Sequence, residues 1–124
     1  MFYCGRDGTI LDVNDAFTRV YGFAREEAVG QTPRIIRSPY TTKAFYEHLW
    51  KSLLDPAVGW WKGELINRSK NGRDIPVLLS ITAVRDASGA VTGYVSNAQD
   101  TTEQRSLLAR VAQSEALAGV REAL

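Results

Sequence analysis

The chain opens with two short apolar runs, residues 2–6 and 9–13, on either side of Asp7-Gly8. An Asp-Gly pair between such runs predicts a β-hairpin. From Asn14 the pattern turns helical: Asn14 caps a short helix through Phe17, Val20 and Tyr21 that Gly22 ends, and residues 26–30 make a further helical turn. A longer amphipathic helix begins at Thr41 or Thr42 and carries Phe45, Leu49, Trp50, Leu53 and Leu54 largely on one side, until Asp55-Pro56 breaks it. After Gly59 the chain reads as strands over 60–67, 75–85 and 91–99, separated by turns at Lys70-Asn71-Gly72 and Asp86-Ala87-Ser88-Gly89. Three successive strands with tight turns predict an antiparallel meander. Residues 101–124 hold no Pro and are rich in Ala, Leu, Glu, Gln and Arg, which predicts a helix, with Asp100 and Glu103 as its N-terminal cap.

A length of 124 residues fits one domain around one core, and 44% hydrophobic with 23% charged residues is ordinary globular usage. The formal charge of +1 is too small for the basic footprint that phosphate-backbone binding needs, so nucleic acid is not an expected partner. Cys4 is the sole cysteine and forms no intrachain disulfide; with no apolar run long enough to span a bilayer and no secretory leader in the opening residues, a cytoplasmic location is expected. No nucleophile elbow, metal-ligand spacing or phosphate loop emerges, and Gly5-x-x-Gly8 is a turn; an enzyme is not expected.

Several motifs, in this order and spacing, resemble the Per-ARNT-Sim (PAS) sensory domains: Gly8-Thr9-Ile10, Asn14-Asp15-Ala16-Phe17, Tyr21-Gly22-Phe23, Glu26-Glu27-Ala28-Val29-Gly30, Phe45-Tyr46 with Leu49-Trp50, Trp61-Lys62-Gly63, Asn67 to Gly72 and Asp100-Thr101-Thr102-Glu103. The resemblance covers residues 1 to 105. It implies an α+β fold: a five-stranded antiparallel sheet in the order 2-1-5-4-3, short helices on one face enclosing a ligand pocket, and a C-terminal helix. Residues 1–100 are then the sensor and 101–124 an amphipathic or coiled-coil linker.

Trp61-x-Gly63 followed by Asn67-Arg68-x-Lys70-x-Gly72 is similar to the flavin-binding subgroup of redox and aerotaxis sensors, which hold FAD noncovalently. On this resemblance the pocket is lined by Ile36, Trp50, Trp61, Leu65, Asn67, Val77, Leu79, Ile81, Ser96 and Ala98, with Asn67 offering an amide to the ring. Val77, Leu79, Ile81 and Ala83 share one strand face. The residues themselves leave a second reading open, in which Trp60 and Trp61 pack as ordinary hydrophobes and Asn67 only begins a turn. The family's light-sensing flavin domains use a cysteine where Pro33 stands and amides where Val77 and Ala98 stand, so neither their thiol adduct nor their mode of holding FMN is expected. His48, the sole histidine, lies about a turn too late on its helix to match the ligand of haem-binding relatives, so haem is not expected.

Leu107, Leu108, Val111, Leu117, Val120 and Leu124 recur at roughly helical intervals. Such a stripe needs a partner: the helix either folds back on its own sheet or pairs with a second copy and runs on into a covalently attached output domain. The resemblance implies a two-component-type or related bacterial signalling protein, dimeric through its sheet face and flanking helices, with a kinase, cyclase or chemoreceptor as output. A ligand-free module acting only in dimerisation is the alternative.

Overall fold

The computed structural model describes the backbone of residues 1–123 and the side chains of residues 1–116. Strands β1 (Phe2–Gly5) and β2 (Ile10–Val13) form the opening hairpin. The Asp7 carboxylate accepts from the Thr9 N–H at 2.9 Å, and Gly8 takes a φ of 87°, a left-handed conformation that glycine adopts at little cost. Helices α1 (Asp15–Tyr21) and α2 (Arg25–Ala28), a 3-10 turn (Pro33–Ile36) and α3 (Lys43–Leu54) follow. Strands β3 (Trp60–Arg68), β4 (Asp74–Arg85) and β5 (Val91–Asp100) then lead into α4 (Thr102–Ala123). All five strands join in one antiparallel sheet of order β2-β1-β5-β4-β3, as the resemblance implies.

The short helices exist because their apolar residues reach the sheet. In α1 the Asn14 carboxamide accepts from the Phe17 N–H at 3.0 Å, Gly22 closes the helix at a φ of 80°, and Phe17 and Tyr21, four apart, face inward. Phe17 stacks edge-on against Phe2 with ring centroids 5.3 Å apart. Seven residues are too few for a helix to stand alone in water; burial of two aromatic side chains, each worth roughly 1.5–3 kcal/mol, holds this one. In α2 the Glu27 carboxylate accepts from the Ala24 N–H at 3.0 Å and pairs with Lys70, so it fastens the helix both to itself and to the β3–β4 turn.

Three details differ from the sequence pattern. Leu49 and Leu53 form the buried stripe of α3, while Leu54 is exposed and Trp50 sits on the flank, because only positions four apart face the sheet squarely. The 3-10 turn at Pro33–Ile36 gives no periodic signal in so few residues. At α4 the cap is displaced by one residue: Asp100 accepts from the backbone and hydroxyl of Thr102, whereas the Thr101 carbonyl receives the Arg105 N–H at 3.0 Å. Thr101 is nearly buried and both its N–H and its hydroxyl donate to the Pro76 carbonyl, at 2.9 and 3.1 Å, which ties the start of α4 to β4.

Every described side chain of α4 after Thr101 is exposed, Leu107, Leu108 and Val111 among them. Through Ala116 the helix therefore does not fold back onto its own sheet. The side chains of Leu117, Val120 and Leu124 lie outside the described residues.

Candidate functional site

The inner face of the sheet carries Phe2, Cys4, Leu65, Asn67, Leu79, Ile81, Tyr94 and Ser96 at alternating positions, and α3 with the 3-10 turn stands over it. The helical residues do not fill the gap, and a cavity of about 380 Å³ remains. Leu49 and Leu53 of α3 and Ile36 of the 3-10 turn form its apolar roof. Trp50 closes one side, its ring edge-on to Tyr94 at 5.2 Å. Asp7 and Gly8 of the hairpin turn, with Arg34 and Arg37, line the mouth; Arg37 lies over the Tyr46 ring at 3.8 Å. A guanidinium held against an aromatic face keeps its charge aimed and available to an anion.

Two polar side chains reach this largely apolar space from below. Asn67 is 3% exposed and its Nδ2 donates to the Tyr21 Oη at 2.6 Å, leaving Oδ1 without a partner among the described residues. Ser96, also 3% exposed, has a hydroxyl with no partner among the described residues. Neither atom is among the sealed, unsatisfied ones; both border the cavity, where a polar edge or water can meet them. Burial pushes the Tyr21 phenol far above its ordinary range, which the hydrogen bond from Asn67 partly opposes. Tyr21 is therefore neutral. Burial likewise raises the Cys4 thiol to about 11, with Asp7 adding to the rise.

Seven of the expected pocket residues come together here: Ile36, Trp50, Leu65, Asn67, Leu79, Ile81 and Ser96. Three do not. Trp61 lies beside the cavity with its indole over Gly63, where an added Cβ would meet the ring at 2.7 Å, and edge-on to Phe45 at 5.3 Å. Val77 shares the strand face of Leu79 but is fully buried in the core and does not line the cavity, and Ala98 is half-buried against the same core. Ala83 also packs on the core outside the cavity. Alternation identifies a strand face, but the cavity spans only part of that face, and where the helices stand decides which part. His48 is exposed and away from the cavity. Among the described residues no group of three or more His, Cys, Asp or Glu could hold a metal ion, and no helix is long and apolar enough to cross a membrane.

Cys4, Arg34, Arg37 and Tyr94 were not singled out from the sequence as cavity residues. The alternation of Phe2 with Cys4 and the i, i+3 spacing of the two arginines were available as signals, but the first sits in a four-residue strand and the second runs from a four-residue turn onto its C-cap, too short for periodicity to stand out.

Comparison with known proteins agrees with this architecture. A family described as PAS domain matches residues 1–103. The nitrogen fixation regulatory protein of Klebsiella oxytoca is 32% identical over 101 residues, covering 77% of this chain and 20% of that protein. The aerotaxis receptor of Escherichia coli (strain K12) is 31% identical over 96 residues, covering 77% of this chain and 18% of the receptor. The chain thus spans about a fifth of the length of the curated relatives it matches. Among solved structures, the PAS domain of a protein from Colwellia psychrerythraea superposes with a TM-score of 0.76 at 20% identity, over 82% of this chain and 85% of that one. An RNA-binding light-oxygen-voltage receptor superposes with a TM-score of 0.77 at 21% identity, over 95% of this chain and 33% of that one. At these identities the structural likeness speaks to the fold alone.

Proposed function

The chain belongs to the PAS domain family, and from that premise we propose that it is the sensory segment of a bacterial signalling protein, whose cavity binds FAD and whose α4 passes the cavity's state to an attached output domain. The observation that carries this reading is the cavity of about 380 Å³ with the unpartnered atoms of Asn67 and Ser96 on its wall. Its volume lies in the lower part of the roughly 300–1,000 Å³ range of small-molecule sites. A flat flavin ring fits such a space and a whole dinucleotide does not. In this reading Leu49, Leu53, Leu65, Leu79 and Ile81 would hold the apolar ring, and Asn67 and Ser96 would meet its polar edge. Arg34 and Arg37 at the mouth would meet the charge of its diphosphate. When bound, a flavin supplies a reversible redox couple, so redox state would be the signal. Two of the similar proteins, a nitrogen fixation regulator and an aerotaxis receptor, have names in keeping with such a role.

The relay in this reading runs through β4 and β5. Leu79 and Ile81 line the cavity on β4, and Pro76 of the same strand holds Thr101 at the root of α4. A ligand that shifts β4 therefore shifts the helix root, to the extent that it binds the two arrangements unequally. The exposed Leu107, Leu108 and Val111 serve a parallel homodimer, helped by Trp60, Val95 and Tyr3, which share the outer face of the sheet. A histidine kinase, cyclase or chemoreceptor is the expected output domain, and the cytoplasm the expected location.

A visible spectrum of the purified protein tests the ligand. Flavin bands are expected, and the Asn67→Ala variant should lose most of the bound flavin while keeping its far-UV circular dichroism. Unchanged flavin retention in that variant removes Asn67 from the site. A featureless spectrum after gentle expression would instead favour a ligand-free dimerisation module, a reading that the exposed apolar stripe of α4 supports independently.

A further inference from the structure

We propose that the free edge of β3 pairs with β3 of a second copy of this chain, antiparallel about Gly63, so that Lys62 of each copy stands opposite Glu64 of the other. The proposal goes beyond the sensory reading, since it needs neither a ligand nor the pairing of α4. β3 ends the sheet order and has a strand on one side only. Which of its backbone groups face outward follows from Pro76, which stands opposite Ile66. Proline has no N–H, and the Pro76 carbonyl accepts from Thr101, so Ile66 and Pro76 exchange no hydrogen bonds. Ile66 therefore turns its N–H and C=O to the free edge, and there the Thr41 hydroxyl donates to its carbonyl at 3.4 Å. The β3–β4 register runs without a shift, so alternation puts the N–H and C=O of Lys62 and Glu64 on the same edge. Among the described residues no backbone group outside the strand ladders bonds to either.

Charges on an edge strand ordinarily guard it against pairing, but in one register these two attract. A two-fold axis at Gly63 sets Lys62 against Glu64 of the second copy, and the symmetry makes that pair twice. Each pair exchanges both N–H···O=C bonds, because these are the residues whose backbone faces the edge. Their side chains are exposed and lie on the outer face, with Trp61 and Leu65 alternating inward. Gly63 meets Gly63 of the second copy in the closer kind of antiparallel pair, roughly 4.5 Å between Cα atoms, and neither brings a side chain. An axis at Lys62 or at Glu64 sets like charges together. An axis between two residues turns one sheet over and puts its apolar face on the solvent side. The bridge between Arg37 and Asn67 closes the edge beyond Ile66, so the paired stretch is short and the association weak.

The contact also reaches the root of α4. Arg105 donates to the Glu64 carboxylate at 3.4 Å, so in the pair Glu64 lies between Arg105 of its own helix and Lys62 of the second copy.

The experiment is sedimentation of the full chain at low salt and high concentration, with Leu107→Asp and Val111→Asp present to remove helix pairing. A residual dimer is expected. Lys62→Glu alone and Glu64→Lys alone should each weaken it by tenfold or more, since each sets like charges opposite one another twice. An equal mixture of these two variants should regain the association, because each then meets its opposite at both positions. A monomeric chain in the helix-variant background would overturn the proposal while leaving helix pairing in place. Single variants that associate like their parent, or a mixture that stays monomeric, would overturn it too. Lys62→Pro removes the outward N–H where the β3–β4 ladder does not use it, so far-UV circular dichroism should persist while the dimer is lost. A folded Lys62→Pro chain that still dimerises in this background would refute backbone pairing at this edge.

Discussion

Removal of the Tyr21 hydroxyl tests whether the bond beneath the cavity is an organising contact. Tyr21 is 0% exposed and Asn67 3%, and 2.6 Å separates the phenol oxygen from the amide nitrogen. In Tyr21→Phe the ring and its packing on Phe17, with centroids 5.0 Å apart, are unchanged, so the loss is confined to the hydrogen bond. A buried donor left without a partner costs about 1–3 kcal/mol. Asn67 lines the cavity, so water in that space recovers part of the loss, and a destabilisation of about 1–2 kcal/mol is expected. With a urea slope of roughly 1–2 kcal/mol/M for a small domain, the unfolding midpoint should fall by about 1 M. The cycle closes with Asn67→Ala and the double variant, whose coupling energy should exceed about 0.5 kcal/mol. A Tyr21→Phe midpoint within about 0.2 M of the parent, together with additive single effects, would refute the assignment of this pair as an energetic link between α1 and the cavity.

Other perturbations follow from the same geometry. Gly63→Ala forces a methyl to within 2.7 Å of the Trp61 ring, which Phe45 holds in place; a loss of about 1–3 kcal/mol is expected, read as a lower melting temperature, and no change would mean that the indole moves freely. At alkaline pH the unfolded chain releases the Cys4 proton first, because its value of 9.0 lies below about 11 in the folded chain; stability is therefore intact below pH 9 and declines as pH rises toward 11, with Tyr21 adding to the decline in the same direction. Thermal melts of the parent and Cys4→Ser between pH 8 and 11 check this, and equal slopes would count against a buried thiol. Leu107→Asp with Val111→Asp should weaken self-association by tenfold or more in sedimentation while leaving the monomer's melting temperature within error, since both side chains are exposed. A parent chain that stays monomeric at high concentration would remove the helix-pairing proposal.

Local chemistry made much of the fold legible in advance. Asp7-Gly8, Asn14 with Gly22, and Asp86 to Gly89 are turn and cap signals that act over short stretches of chain, and the structure uses each where the sequence has it. The alternation along β4 marked one face, and Leu79 and Ile81 meet the cavity from it. The pairing of β1 with β5, some ninety residues apart, has no local signal of its own, and its prediction came from family likeness alone.

What the sequence determined by itself was the set of elements, their amphipathic faces and the turns between them, since capping, φ preference and period 2 or 3.6 are settled among near neighbours. Which face positions are packed and which border empty space depends on how those elements assemble. Val77 and Leu79 are alike in the chain, but one is sealed in the core and the other looks into the cavity. The physical reason is that a cavity belongs to no single element: it is the volume left where the stance of α3 and the 3-10 turn over the sheet lets no side chain reach, and that distance is set by long-range packing.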